Sequence, residues 1–373
     1  RDLRMSRGLG DVYKRQKEGF TEWNSSPYLP IDTLGFGSLY AFAQDPAMRE
    51  LGREGMDFAY YLLAVHSQQG IFASSSGRTY IKEQFGNWSN CPSGLSWIGY
   101  GYGVPGHAGK GITSYCLSDY EPPKEFAQWF SIPRGKEMIC QTTQGNDGYV
   151  DLYTYKTADY MMTSANDFHP GEPGHQENPF QLTFNAVAQL WVTHPGERVL
   201  FGAARPSYWA GNGTLPKVNQ YKAFAGLIYD IAPEHPVDFT HLYLPSMEFD
   251  RCEVEGKWAF VQLGSAYAAV YCSNGMRMQD FGSNKDRECI AEGRRCIWLV
   301  RAAQADEFAA FEDFKAAMRG AALDADAEGR RYRFVDPVYG ELRCQWGETL
   351  YVNDAPMQYS GFDNYGKLTM QEK

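Results

Sequence analysis

Residues 64–80 read AVHSQQGIFASSSGRTY, and the rest of the chain can be interpreted outward from this stretch. An apolar, helix-compatible run over 58–65 ends here in small polar residues and glycines, a composition that stops a helix. His66 lies at that helix end, and Arg78 and Tyr80 follow it closely. A titratable ring, a fixed cation and a phenol are therefore expected to face one cleft. A helix-capping His, a salt-bridged Arg and a buried Tyr would fit the same residues.

The length and composition indicate a globular protein with a large core. A chain of 373 residues fits two domains, or one large domain with a satellite. Hydrophobic residues make up 43% and charged residues 21%, which excludes a disordered chain. The aromatic share of 15% exceeds what such a core needs and is typical of clefts that stack sugars on flat rings. An aromatic-rich sandwich core is the alternative explanation.

Charge, cysteine usage and motifs exclude several classes of partner. The net charge is −10 and no basic cluster is interleaved with aromatics, so nucleic acid is not an expected partner. Eight dispersed cysteines without a Cys-x-x-Cys pair predict reduced core thiols, which favours a cytoplasmic setting. No apolar run is long enough to predict membrane insertion. The absence of phosphate-loop, nucleophile-elbow and dinucleotide motifs leaves no cofactor predicted.

The first sixteen residues look foreign to the fold. They show no apolar period, and the end of this stretch, DVYKRQ over 11–16, resembles translated sequencing-adaptor read-through at the ends of genes assembled from bacterial metagenomic data. We therefore interpret 1–16 as a non-native extension and leave it out of the fold prediction. The natural protein is then expected to begin further upstream.

The remaining chain predicts an α+β protein of two domains. Residues 17–135 are expected to be helical, with an antiparallel pair formed by a helix over 34–42 and a second that starts at Asp45-Pro46. A loop over 86–111, dense in Gly, Trp and Tyr, is expected to form a cleft wall. Residues 136–373 alternate in the manner of short strands and predict an antiparallel β-sandwich with one helix near 305–320. The individual strands are predicted at 149–155, 160–163, 179–184, 188–193, 223–231, 239–244, 258–262, 267–272, 332–335, 342–346 and 349–352.

Three polar clusters are candidates for function beside the opening stretch. Glu22, Trp23 and Asn24 lie just before the first helix, where a helix cap with an incidental Glu is the alternative. The loop over 169–178 carries two His and several polar groups, and the loop over 205–213 combines an Arg, a Trp face and an Asn. An ordinary strand connection with Asn-Gly turn chemistry also fits the latter. The candidate ligands of substrate in these three clusters are Glu22, Trp23, His169, Gln176, Glu177, Arg205, Trp209 and Asn212.

The chemistry of these loops suits an acidic sugar better than a metal. The spacing of His169 and His175 is looser than that of a zinc-binding helix, so no metal is predicted and a His that faces substrate is preferred. Arg205 supplies bidentate contact to a carboxylate, and Trp209 supplies a stacking face. The expected partner is therefore an acidic polysaccharide or oligosaccharide.

The order of these features along the chain resembles that in a group of polysaccharide lyases. An Asn loop, a His and an Arg-x-Tyr come with the helices, and a sandwich that carries another His follows. The group comprises lyases with an incomplete (α/α) toroid, such as the heparinase II/III-like, oligoalginate and chondroitin AC lyases, and the resemblance is architectural over about 17–352. It implies an incomplete (α/α) toroid of helical hairpins over 17–135 and an antiparallel β-sandwich over 136–373. It also implies β-elimination of glycans that contain uronic acid.

The resemblance implies a role for each candidate catalytic residue. Tyr80 and His66 would move protons, and Asn24 and Arg78 would neutralise the uronate carboxylate. His175, or His169, would be the His contributed by the sandwich. Neutralising a carboxylate makes the neighbouring proton easier to remove, which agrees with the residue types found.

Two other functions remain open from the sequence. A glycoside hydrolase on a helical scaffold would use paired carboxylates, such as Glu22 with Asp32 or Glu22 with Glu177. A non-catalytic carbohydrate-binding protein would need only the aromatic residues. The oligomeric state and the identity of the polysaccharide are not predicted.

Overall fold

A computed structural model describes residues 19–85, 90–105, 111–145 and 149–373. The predicted extension over 1–16 lies outside the described residues, as do 86–89 and 106–110 of the predicted cleft wall. Within the described part the chain is an α+β protein in which a helical layer precedes several antiparallel sheets. The α+β prediction is thus confirmed. No helix in the described ranges has the length and hydropathy needed to cross a bilayer.

Two helices form an antiparallel hairpin at the start of the described chain. They are α1 (Leu29–Phe42) and α2 (Pro46–Val65). Pro46 is the first residue of α2 and Asp45 is its N-cap, with the carboxylate accepting a hydrogen bond from the Ala47 amide at 2.9 Å. The helices can approach closely because Gly55 has no Cβ. A Cβ at this position would lie only 2.3 Å from the Phe36 ring. The predicted helix pair is confirmed.

Shorter elements complete the helical layer. A two-stranded ribbon of β1 (Ser67–Gln68) and β2 (Ile71–Phe72) follows α2 directly. It is followed by α3 (Ile81–Gln84), α4 (Ser93–Tyr100), α5 (Ile112–Cys116) and a 3-10 helix over Lys124–Trp129.

The centre of the protein is a nine-stranded antiparallel sheet, and its strands are numbered here in chain order. From one edge to the other they are β14 (Arg277–Met278), β15 (Glu288–Glu292), β10 (Phe239–Tyr243), β7 (Gln189–Thr193), β6 (Phe180–Thr183), β5 (Met161–Asn166), β4 (Val150–Lys156), β3 (Lys136–Gln144) and β22 (Lys367–Glu372). Its middle strands are buried on both faces, because helices cover one face and a second sheet covers the other.

The second sheet has six antiparallel strands and shares one hydrophobic core with the first. Its order is β11 (Arg251–Glu255), β12 (Trp258–Leu263), β13 (Ala266–Cys272), β16 (Arg295–Gln304), β9 (Phe224–Asp230) and β8 (Lys217–Tyr221). The helix α6 (Phe311–Gly320) packs on this sheet through Phe314, which contacts Phe260 and Tyr267. A short 3-10 helix over Ser246–Glu248 precedes β11.

A small five-stranded sheet packs on the same core near the end of the chain. Its strands are β17 (Leu323–Asp326), β18 (Arg331–Asp336), β19 (Gly340–Gln345), β20 (Tyr351–Val352) and β21 (Ala355–Pro356). The guanidinium of Arg301, buried in β16, pairs with Asp336 and Glu307, both at 2.7 Å. This network ties the small sheet to the six-stranded sheet.

Candidate functional site

The segment that carries Arg78 and Tyr80 is held in place by the backbone rather than by a regular element. The Gly77 amide donates to the Trp23 carbonyl at 2.8 Å. The Thr79 amide donates to the Gln176 carbonyl at 3.0 Å, and the Gln176 side-chain amide returns a hydrogen bond to the Thr79 carbonyl at 2.7 Å. The fold thereby brings together three of the predicted clusters, which are far apart in the sequence.

Arg78 is the charged centre of the cluster. Its guanidinium makes a salt bridge of 2.9 Å with the carboxylate of Glu22. Its other terminal nitrogen lies 3.4 Å from the Tyr80 hydroxyl and 3.5 Å from the Tyr28 hydroxyl. The same guanidinium lies over both rings, 5.1 Å from the Tyr28 centroid and 5.9 Å from that of Tyr80. Arg78 is therefore engaged by the protein on several sides.

The phenol of Tyr80 lies between two arginines and a second phenol. The hydroxyls of Tyr80 and Tyr28 are 3.4 Å apart, and the guanidinium of Arg205 lies 5.4 Å from the Tyr80 ring centroid. Its hydrogen bonds with Tyr28 and Arg78, together with the positive charges of Arg78 and Arg205, lower the pKa of Tyr80 below its ordinary value. The pKa of Tyr28 is raised, chiefly because its hydroxyl hydrogen bonds to Tyr80. The arrangement favours a phenolate at Tyr80.

Tyr80 faces two adjoining cavities. The larger, of about 500 Å³, is lined by Tyr80, Lys82, Gln176, Arg205 and several small residues of the 202–210 segment. The smaller, of about 350 Å³, is lined by Tyr80, Lys82, Tyr28 and residues next to them. A ligand in either cavity can therefore reach the phenol, and the larger has the size of an ordinary ligand pocket.

Arg205 is one of two cations in the described chain that line the larger cavity, and the other, Lys82, pairs with Glu83 at 3.2 Å. Arg205 is exposed. No carboxylate among the described residues lies within ion-pair distance of it, whereas Arg78 is bound to Glu22. Sequence reasoning placed Arg205 among the ligands of substrate, and the structure puts it beside Tyr80.

Asn24 lies beneath the cluster. Its side-chain amide donates to the Ser75 carbonyl at 3.3 Å, and the residue is only 1% exposed. Its backbone is in the left-handed region, with φ of 48°, which Asn tolerates better than most residues. These contacts support a role for Asn24 in fixing the loop before α1, and they do not bring its amide to the cavity.

His66 lies in the core below α2. Its Nδ1 is 3.0 Å from the Thr154 hydroxyl, and the ring is fully buried next to the amine of Lys156. Lys156 donates to the carbonyls of Ala64 and Val65 at the end of α2, at 3.0 and 3.4 Å. Burial, with the charge of Lys156, lowers the pKa of His66 to about 3. A catalytic role for His66 stays a prediction that these contacts do not support.

The buried His66 predicts an acid-dependent loss of stability. The unfolded chain takes up a proton at His66 near pH 6.5, whereas the folded protein does so only near pH 3. The free energy of unfolding should therefore fall as the pH falls from 6.5 towards 3, by about 1.4 kcal/mol per pH unit. Denaturant unfolding of His66→Asn and of wild type at several pH values measures this contribution by difference. An equal pH dependence in His66→Asn and in wild type would contradict a buried neutral His66.

The two tryptophans predicted to bind substrate are core residues. Trp23 is fully buried and packs on Phe168 at 5.6 Å. Trp209 is 2% exposed and stacks on His241, with ring centroids 4.2 Å apart. Neither indole presents a face to a ligand, so the structure gives no support to stacking of sugars on them. Their aromatic character serves the core, the alternative that composition left open.

The 169–178 loop divides into an outer part and an inner part. His175 is exposed, and its backbone amide donates to the Glu177 carboxylate at 2.5 Å. His169 lies beside Tyr149 and Phe168, with its Nδ1 3.5 Å from the Glu172 carboxylate. Gln176 alone of this loop lines the larger cavity. Roles for His169, His175 and Glu177 in the chemistry stay predictions.

Asn212 ties the loops to each other. Its side-chain amide donates to the Glu177 carbonyl at 3.0 Å, and its oxygen accepts hydrogen bonds from the His194 amide and the Tyr229 hydroxyl at 2.9 and 3.0 Å. The residue is fully buried. These bonds use both the oxygen and the nitrogen of the buried amide, so the contacts support a structural role.

Sequence reasoning did not find the buried polar network behind the cavity wall. The Glu288 carboxylate accepts a hydrogen bond from the Tyr208 hydroxyl at 2.6 Å and lies 2.7 Å from His241 Nδ1. Asn284 joins Glu288 at 2.8 Å and accepts from the Trp209 indole at 3.3 Å. The network anchors the segment just after Arg205. Its members are scattered over eighty residues, and no local spacing in the sequence joins them.

No family model, curated protein or solved structure matches the chain. In the ranges that the structure describes, no group of three or more His, Cys, Asp or Glu side chains is arranged to hold a metal ion. The geometry around Tyr80 therefore carries the functional interpretation by itself.

Proposed function

We propose that the protein is a polysaccharide lyase that cleaves glycans containing uronic acid by β-elimination. In this proposal the helical layer is a fragment of an (α/α) toroid, and the two large sheets form the sandwich that follows it. The observation that carries the proposal is a phenol, Tyr80, with a lowered pKa between Arg78 and Arg205 at the meeting point of two cavities.

Arg78 and Arg205 have different roles in this mechanism. Arg78 is bound to Glu22 and donates to Tyr80, so it stabilises negative charge on the phenol oxygen and holds that oxygen in place. Arg205 faces the larger cavity and would hold the uronate carboxylate there. In this proposal Arg205, and not Arg78 as the resemblance implied, neutralises the uronate carboxylate. A carboxylate paired with a guanidinium no longer opposes the negative charge that develops when the adjacent proton leaves.

In the proposed mechanism Tyr80 alone takes up the proton and returns it. Its phenolate removes the proton next to the carboxylate and becomes a phenol. The electron pair left on carbon forms the double bond as the glycosidic carbon–oxygen bond breaks. The leaving sugar oxygen then takes the proton back from Tyr80, which restores the phenolate. The products are an unsaturated uronate and a shortened glycan.

A screen of uronate polysaccharides tests the reaction class. The protein is incubated with polymers of different uronates, and the ultraviolet absorbance of the new double bond is followed. Saturated reducing ends without this absorbance would point to the hydrolase instead. Binding without any cleavage would point to a carbohydrate-binding protein, and either result would overturn the lyase.

Replacing Arg205 by alanine tests the carboxylate site. Arg205→Ala should lower kcat by about a hundredfold, as expected for loss of one group that stabilises developing charge. Arg198→Ala is the matched control, because Arg198 is also an exposed arginine over an aromatic ring, at 5.5 Å from Phe239. Rates are compared at saturating polymer. Equal losses in both variants would rule out a specific carboxylate site at Arg205.

A further inference from the structure

Tyr28 is a residue of the cluster to which sequence reasoning gave no role. It is the residue just before α1, where the Leu29 amide donates to the Ser25 carbonyl at 2.9 Å and fixes the start of the helix. The ring is half-buried and lines the smaller cavity together with Tyr80. The rigid helix start therefore positions a second phenol at the cavity.

The hydroxyls of Tyr28 and Tyr80 form a triangle with one nitrogen of Arg78. The oxygens are 3.4 Å apart, and the nitrogen lies 3.5 Å from Tyr28 and 3.4 Å from Tyr80. One hydrogen bond joins the two oxygens, so one phenol must donate and the other must accept. Arg78 can only donate. The oxygen that accepts from both neighbours is the one that can carry negative charge.

The surrounding charges decide which phenol accepts. Tyr80 is faced by Arg205 from the 202–210 segment and by Arg78 from the irregular segment before α3, and Lys82 lies on α3 next to Glu83. Tyr28 has Arg78 over its ring and Glu22 nearby, and the negative charge of Glu22 opposes ionisation of Tyr28. The positive charge is therefore greater at Tyr80.

We propose that Tyr28 is a positioning residue, which donates its hydroxyl hydrogen to the Tyr80 oxygen and keeps that oxygen ready to accept a proton from substrate. The raised pKa of Tyr28 and the lowered pKa of Tyr80 agree with this direction of donation. Tyr28 keeps its own proton throughout the reaction, so no extra proton enters the balance. The role in turnover rests on the proposed lyase, but the hydrogen bond itself does not.

The test is a titration of Tyr80 in the free protein. Tyrosines labelled with ¹³C at the ring carbon that bears the hydroxyl are titrated by NMR, and the Tyr80 signal is identified by its loss in Tyr80→Phe. Tyr28→Phe should raise the pKa of Tyr80 by about one unit, since a hydrogen bond to a charged group is lost. The acidic limb of the kcat/KM profile should move by the same amount.

A matched control and a second variant keep the test decisive. Tyr40→Phe removes another tyrosine hydroxyl close to an arginine, and it should leave the Tyr80 titration unchanged. If Tyr28→Phe does not fold, 3-fluorotyrosine at position 28 keeps the ring, and its more acidic hydroxyl should lower the pKa of Tyr80. An unchanged titration in the folded variant would overturn the role of Tyr28. A shifted titration in a protein that cleaves no uronate polymer would overturn only the lyase.

Discussion

Tyr80→Phe is expected to retain the fold and to lower turnover of uronate polymers by between about a hundredfold and ten-thousandfold. The change deletes one hydroxyl and little volume, and it removes the group that accepts and returns the proton in the proposed mechanism. The ring would still lie under Arg78 and Arg205, so binding of the polymer should be nearly unchanged. Initial rates by ultraviolet absorbance, and thermal unfolding, measure the two effects separately.

The control for Tyr80→Phe is a tyrosine in a similar electrostatic setting. Tyr351 lies under the guanidinium of Arg343, 4.2 Å from the ring centroid, on the small sheet and outside both cavities. Tyr351→Phe should leave turnover within twofold of wild type, as a surface change away from the site does. Near wild-type rates for Tyr80→Phe would eliminate the phenol as the proton acceptor.

Trp209→Ala is expected to destabilise the protein by about 3–5 kcal/mol, since it removes a large side chain from the core. Trp209 stacks on His241 and contacts Phe85 and Tyr243 edge to face. Its loss would leave a cavity behind the wall that carries Arg205. Denaturant unfolding measures the change, and any loss of turnover should follow the unfolded fraction.

The control for Trp209→Ala is an exposed tryptophan. Trp97 is 45% exposed in α4, and Trp97→Ala should change the free energy of unfolding far less than Trp209→Ala does. A stable Trp209→Ala protein with a raised KM would instead restore the stacking role that the sequence suggested. Comparing Trp209→Ala with Trp97→Ala thus shows whether Trp209 serves in core packing or in substrate binding.

Period and turn signals were sufficient to predict much of the fold. The predicted strands lie within about three residues of their observed bounds, and the helix pair and α6 overlap their predicted ranges. α1 begins five residues before its predicted start, and α6 begins six residues after its own. The prediction missed several strands of the two large sheets, among them β3, β8 and β16. The longest of these is β16, the strand over 295–304 inside the six-stranded sheet. Nine of its ten residues are buried, so it has no alternation of polar and apolar residues for a sequence pattern to reveal.

The candidate site was predictable only in part. The motif of Arg78 and Tyr80 was found, because a short cationic and phenolic sequence after a helix end is a local signal. The burial of His66, Trp209 and Asn212 was not predictable, since composition does not tell which way a side chain points. Tyr28 had no local signal either, because its partners Arg78 and Tyr80 lie fifty residues further along the chain.

The last strand of the nine-stranded sheet has a consequence for synthesis on the ribosome. β22 pairs with β3, and Tyr365 just before it packs on Phe58 and Tyr61 of α2, with a hydrogen bond from the Tyr61 hydroxyl to the Tyr365 carbonyl across 304 residues. The helical hairpin thus emerges long before the segment that covers it. Phe20, Phe126 and Trp129 cover part of Phe58 and Tyr61 earlier, but the face that Tyr365 covers stays open until then. A nascent chain stalled before residue 360 would therefore present this aromatic face to chaperones.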